Sequence, residues 1–200
     1  VKRDLIRNII IAVLAIVVIS LLRVFVLSTH RVTEAANDYI HAGDYVTFNK
    51  KVEPHNKDFI RIVNGKEYTG RVIADEGKSV TARMIFYVND KPVEETYISK
   101  DKSAYLATVS PGNFFTDDFS IGTLTDNKQT KIKKGQYLVL NDNRRDTEDS
   151  RKFGLIEKDQ IKGVISFRVY PLSRLVFVDG INISIPLKKL ETYQKSPAFL

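Results

Sequence analysis

The residues of this chain best placed to do chemistry lie in Asn141-Asp142-Asn143-Arg144 and in Asp149-Ser150-Arg151-Lys152-Phe153-Gly154-Leu155-Ile156. Asp142 and Asp149 are the two carboxylates that an aspartic dyad would require, one as base and one as acid. A second constellation pairs Thr33, as a hydroxyl nucleophile, with Lys66, as the amine that would deprotonate it. Lys66 stands beside the Asn64-Gly65 turn, however, where an exposed and protonated amine is the ordinary state. The chain has no cysteine, which excludes thiol catalysis, disulfides and thiolate metal sites. His30, His41 and His55 have no metal-ligand spacing and read as surface residues, and no feature calls for a cofactor.

The elements that must position these groups are mostly strands. Period-two alternation marks Tyr45–Phe48, Phe59–Val63, Met84–Val88, Tyr137–Leu140 and Val164–Tyr170. Asn64-Gly65 and Asn89-Asp90 fall where tight hairpin turns reverse the chain, so the fold class is mainly β, largely antiparallel. Residues 99–130 turn polar and irregular and read as an inserted lobe, whose Phe114, Phe115 and Phe119 serve either as its core or as an exposed partner patch. The β core is then expected over 28–98 and 131–175, with a C-terminal extension over 176–200. In that extension Ile181–Ile185 alternates as an edge strand before Pro186, and Leu187–Gln194 is the one helical candidate outside the N-terminal region.

Ile9 to Leu22 is uncharged and almost wholly apolar, and Val24–Leu27 extends it towards the ~20 residues that span a bilayer. The expected anchor is 9–27, with Arg23 snorkelling to the interface. Basic residues Lys2, Arg3 and Arg7 predict a cytoplasmic segment at 1–8 and the remaining chain outside. No small-x-small site follows the run, which favours an uncleaved anchor over a cleaved secretory signal. Of the net charge of +7, +3 lies before residue 28 and +4 is spread over the rest, too diffuse for nucleic acid.

The order of these segments resembles type I signal peptidases over nearly the whole chain. The resemblance rests on the anchor, Gly43-Asp44, Arg71-Val72-Ile73, Asn89-Asp90-Lys91-Pro92-Val93, the Asp142–Ile156 block, and Gly163 through Phe167-Arg168-Val169-Tyr170-Pro171-Leu172. It implies a signal-peptidase-like antiparallel β fold with a small inserted lobe behind one transmembrane helix, its cleft facing the outer membrane surface. It also implies that Arg71, Asp142, Arg144, Asp149 and Arg151 form ion pairs that brace the cleft.

The family cuts with a serine nucleophile and a lysine base held neutral by burial. Neither is present where the resemblance places it. The run from Val32 to Gly43-Asp44 contains no serine, and Ala35, Ala36, Asn37 or Asp38 occupies the former nucleophile position. The family's Lys-Arg-Val-Ile-Gly reads Gly70-Arg71-Val72-Ile73-Ala74 here, a glycine expected to open room in the cleft floor. Losing both members of a coupled pair abolishes acyl-enzyme chemistry. The resemblance is strongest to the degenerate homologues of Gram-positive pilus loci. It implies a pseudoenzyme of the bacterial cytoplasmic membrane that acts as a chaperone or accessory factor for surface-protein assembly, its partners an exported polypeptide such as a pilin subunit and a sortase. The alternatives are a working peptidase with relocated groups and a regulator of a sortase or signal peptidase.

Overall fold

The computed structural model describes residues 2–25, 27–33, 40–174, 176–178 and 182–183. Helix α1 (Lys2–Phe25) comes first. Its stretch Arg3–Leu21 is long and apolar enough to cross a membrane, and none of it is buried against the rest of the protein. At 1.5 Å per residue the helix reaches about 36 Å, against a hydrocarbon core of ~30 Å. Among the described residues it is the single helix of this kind, and it makes a single-pass membrane protein with the bulk of the chain on the outer side. The helix stops at Phe25, short of the expected Leu27, because Leu27 already belongs to strand β1 and faces Asn49 across it.

The strands that follow are β1 (Leu27–Arg31), β2 (Tyr45–Asn49), β3 (Phe59–Asn64), β4 (Lys66–Ala74), β5 (Val80–Ala82), β6 (Phe86–Val88) and β7 (Lys91–Pro92). Helix α2 (Ser99–Leu106), β8 (Phe119–Ser120), α3 (Ile121–Leu124), β9 (Gln136–Leu140), α4 (Ser150–Phe153), β10 (Ile156–Glu157) and β11 (Ile161–Tyr170) come next, then β12 (Val176–Val178) and β13 (Asn182–Ile183). Among the described residues they form two sheets, both antiparallel. The larger runs β1-β2-β11-β3-β4-β9-β10, with β12 and β13 added beside β11, and the smaller runs β7-β6-β5-β8.

Strand β9 explains how the two sheets share a core. Leu138 and Leu140 point to one side, where they meet Ile73, Ala74, Val80, Ala82, Phe86, Phe119 and Ile121. Tyr137 and Val139 point to the other, against Ile60, Ile62, Tyr68, Val72 and Ile156. A register shift between Val72 and Ala74 lets β4 bury three consecutive residues in the same two layers. A third cluster, Val32, Ile40, Val46, Phe48, Phe59 and Ile165, closes the end nearest β1 and β2.

Both expected hairpins are present. Gly65 turns β3 into β4 at φ +71°, and Asn89 and Asp90 adopt φ +50° and +59°, the paired positive values of a type I′ turn. The small sheet begins at Val80, whose strand packs with Ala82 and Phe86 on Phe119 of the 99–130 segment. Met84 and Ile85, expected in a strand, are exposed in the connection before β6. In the lobe Phe115 and Phe119 are buried and Phe114 is partly exposed, so the three divide between core and surface. Helix α2 buries no residue, which leaves it no apolar stripe for periodicity to reveal. The tail strand is present at Asn182–Ile183, while the rest of 181–185 and the helical candidate 187–194 lie outside the described residues.

Gly163 lies at φ +155°, and a Cβ there would stand 2.6 Å from the Asn49 carbonyl oxygen and 2.7 Å from Phe48 Cδ2. The β2–β11 pairing therefore requires glycine at this point. Gly163→Ala is expected to destabilise the detergent-solubilised chain by about 2 kcal/mol, within the usual range for overpacking, as read by equilibrium unfolding. An unchanged midpoint would contradict this packing.

Candidate functional site

Three segments meet at one end of β4. From β1 and its continuation come His30, Val32 and Thr33; from β4 come Glu67, Tyr68 and Thr69; from the loop after β9 come Asn141, Asp146 and Glu148. Together they line a crevice of about 20 Å³. Its position follows from register: β9 pairs with β4 only from Arg71 to Ala74, whereas β3 pairs with all of Lys66–Arg71. The first half of β4 is thus paired on one side only among the described residues, and alternate main-chain N–H and C=O groups point to the open side. His30 closes the opposite wall, its Nε2 3.1 Å from Glu67.

Arginine–carboxylate pairs hold the loop after β9 against this strand. Arg71 donates from Nε and Nη2 to the two oxygens of Asp142 at 2.8 and 2.7 Å, a bidentate fork, and from Nη1 to the Lys57 carbonyl at 2.9 Å. The guanidinium lies between the rings of Phe59 and Tyr97, 4.1 and 4.3 Å from their centroids. Arg144 is wholly buried; it donates to the Asn141 carbonyl and pairs with Glu95, and Tyr97 Oη lies 3.2 Å away. Burial works against its charge, but Glu95, then Tyr97 and Asp142, outweigh burial and raise its pKa. Burial also raises the Tyr97 phenol well above its ordinary value, so it stays protonated.

Asp149 caps α4 by accepting from Arg151 N–H, accepts from Asn141 N–H at 2.9 Å, and pairs with the Arg151 guanidinium at 2.7 Å. Ser150 Oγ accepts from Val139 N–H at 3.0 Å. Asp142 and Asp149 are each engaged by an arginine of their own, which suits ion pairing and not an acid–base dyad. Lys66, the amine of the other constellation, has a half-exposed side chain 3.4 Å from Glu148, while Thr33 does line the crevice.

Gly70 is buried within β4, opposite Ile60. It does not open the floor of the cleft: a Cβ there would come 2.5 Å from Val139 Cγ1, so valine already fills that direction. Ala36 and Asp38 lie in 34–39, outside the described residues. Sequence reasoning missed Glu67, Tyr68, Asp146 and Glu148 in the crevice, and Glu95 and Tyr97 as partners of the arginines. Tyr68 was within reach, since strand alternation from Gly70 puts it on the same face. His30, read as a surface residue, is half-buried, and burial, opposed by Glu67, lowers its pKa so that it is neutral at pH 7.

Removing one partner of a buried ion pair leaves an uncompensated charge, at about 3–5 kcal/mol. Arg71→Met and Asp142→Asn are each expected to destabilise the protein by that order, and the double variant by clearly less than their sum. A double-mutant cycle by equilibrium unfolding checks this, and additive losses would contradict the coupling.

Comparison with known proteins gives a consistent set of likenesses. Residues 4–170 match the family described as signal peptidase, peptidase S26. Signal peptidase IB of Staphylococcus aureus (strain MRSA252) is 31% identical over 88% of this chain and 95% of its own length. The inactive signal peptidase IA of S. aureus (strain Mu50 / ATCC 700699) is 33% identical over 86% of this chain and 95% of its own. The crystal structure of a signal peptidase I from Enterococcus faecalis V583 aligns with a TM-score of 0.50 at 30% identity, covering 56% of this chain and 97% of that one.

Proposed function

We infer that this chain, which belongs to the signal peptidase family, peptidase S26, holds an extended exported polypeptide at its crevice without cutting it. The observation that carries this reading is the end of β4: the half-paired edge at Lys66–Gly70 is open to a further strand, while Gly70, where the sequence resemblance puts the family's base, has its side-chain direction filled by Val139. Strand addition draws its affinity from main-chain hydrogen bonds, which need neither a serine nor a lysine. Acyl transfer needs a nucleophile and a base within hydrogen-bond reach, and Gly70 offers no proton acceptor. The likeness to a relative named inactive supports the same side, though a relative named signal peptidase IB is about as similar.

Arg71, Asp142, Arg144, Asp149 and Arg151 take the part of scaffold in this reading. They hold the 141–149 loop beside β4, so the crevice keeps its walls without the dyad. Ala36 and Asp38 then mark the former nucleophile position and Gly70 the former base. The client read from the sequence is a surface protein in assembly, a pilin subunit first among them, with a sortase as the enzyme that would take it over.

A photo-reactive residue at Thr69 is expected to capture exported polypeptides in the membrane fraction of cells, and one at exposed Met84, in the connection between β5 and β6, is not. Purified full-length protein is expected to leave a signal-peptide-bearing precursor intact by mass spectrometry. Gly70→Lys is expected to restore no cleavage, since its Cβ collides with Val139 and the run from Val32 to Asp44 contains no serine. Cleavage at a small-residue site by the native chain would establish the alternative, a working peptidase. Capture at Met84 but not at Thr69 would move the binding surface to the lobe.

A further inference from the structure

The crevice has a chemical bias that a plain strand-binding edge does not require. Three carboxylates line it, Glu67, Asp146 and Glu148, although the chain as a whole carries +7. Two of them are already matched: Glu67 by Arg61, and Glu148 by Lys66 and Lys152. Lysine contact holds the Glu148 carboxyl below its usual range, so it is ionised. Asp146 is different. It accepts from Glu148 N–H at 3.0 Å, and the nearby Arg151 donates to its main-chain oxygen while pairing with Asp149, so the Asp146 carboxylate has no cation of its own among the described residues.

The second observation is Tyr68. Its side chain is 7% exposed, it lines the same crevice, and its Oη has no hydrogen-bond partner among the described residues. Burial, with a further push from Asp149, raises its pKa, so the oxygen is a neutral phenol with free acceptor capacity. An unmatched buried hydroxyl is costly, and a donor entering the crevice would relieve it. Among the described lining residues the one ring that could carry positive charge is His30, which burial keeps neutral.

The geometry points to a primary-ammonium site: resting on the strand-addition reading, we propose that the crevice takes the ammonium of a lysine side chain, or of a free amino terminus, from the bound polypeptide. Its partners are the Asp146 carboxylate and Tyr68 Oη, with the Asn141 side chain beside them. Chemistry favours the ammonium: a compact –NH₃⁺ can be met by one carboxylate and one phenol oxygen in a narrow crevice, whereas the planar five-donor fork of a guanidinium asks for more acceptors than these two supply. The expected preference therefore differs from that of a neutral slot: lysine over norleucine, and lysine over arginine.

The test uses the full chain in lipid nanodiscs and short extended Thr/Ala peptides with acetylated amino termini, in which a single lysine is walked along the sequence. Matched sets carry norleucine or arginine, and one set has norleucine with a free amino terminus. At one position lysine is expected to tighten Kd about 10-fold over norleucine, the size of a charge-assisted hydrogen bond, with arginine near norleucine. Asp146→Asn, which keeps an acceptor for Glu148 N–H, is expected to remove most of the lysine-over-norleucine ratio, and Tyr68→Phe part of it, the ratio being read within each variant. If the gain appears only with the free terminus, the site takes an amino terminus. Equal binding of lysine and norleucine peptides at every position overturns the ammonium site and leaves strand addition standing; no binding of any peptide overturns both.

Discussion

The buried fork between Arg71 and Asp142 is the interaction on which the rest of the site depends. Both side chains are almost wholly buried, and a charge so placed is tolerated only when it is matched and fully hydrogen-bonded. The pair joins the centre of β4 to the residue just past β9, 71 positions further along the chain. It therefore fixes where the 141–149 loop begins, and Arg144 to Glu95 and Arg151 to Asp149 fix where it goes. The same network reaches the small sheet's flank through Tyr97, whose ring covers Arg71 and whose hydroxyl meets both Glu95 and Arg144. Without that loop, β4 would have an open edge but no crevice.

A catalytic site built on this frame asks for a strained or costly feature: an amine kept neutral in an apolar setting, or a hydroxyl aimed by a base. Gly70 makes no such demand. Val139 occupies its side-chain direction, and the Val139 N–H donates to Ser150 Oγ, so Gly70 sits in ordinary core. Polar demand persists elsewhere, in Tyr68 Oη and in the Asp146 carboxylate. These two groups at the crevice are what direct attention to binding.

Much of this was legible in the sequence. The alternation in Tyr137–Leu140 and Val164–Tyr170 and the Asn89-Asp90 turn announced β9, β11 and a hairpin, because each residue obeys a local rule. The Asp142–Ile156 block announced the arginine–carboxylate frame. What failed to show did so for physical reasons. Strand β4 is buried on both faces over Val72–Ala74 and carries Thr69 and Gly70 before them, so it has no clean alternation. Helix α2 has no buried face at all. The crevice brings Tyr68 beside Asp146 by tertiary adjacency alone, and the filling of Gly70 by Val139 depends on which residue of β9 faces it, a matter of register that no local pattern encodes.

The central claim is that the open edge of β4 binds a strand, and hydrogen–deuterium exchange read by mass spectrometry tests it most directly. The full chain in nanodiscs would be compared with and without an extended exported peptide. The account predicts slowed exchange confined to Lys66–Gly70 and the facing Val32–Thr33 segment, with the peptide recovered intact. Unchanged exchange at Lys66–Gly70, or protection only around Met84 and Phe114 of the small lobe, would contradict it.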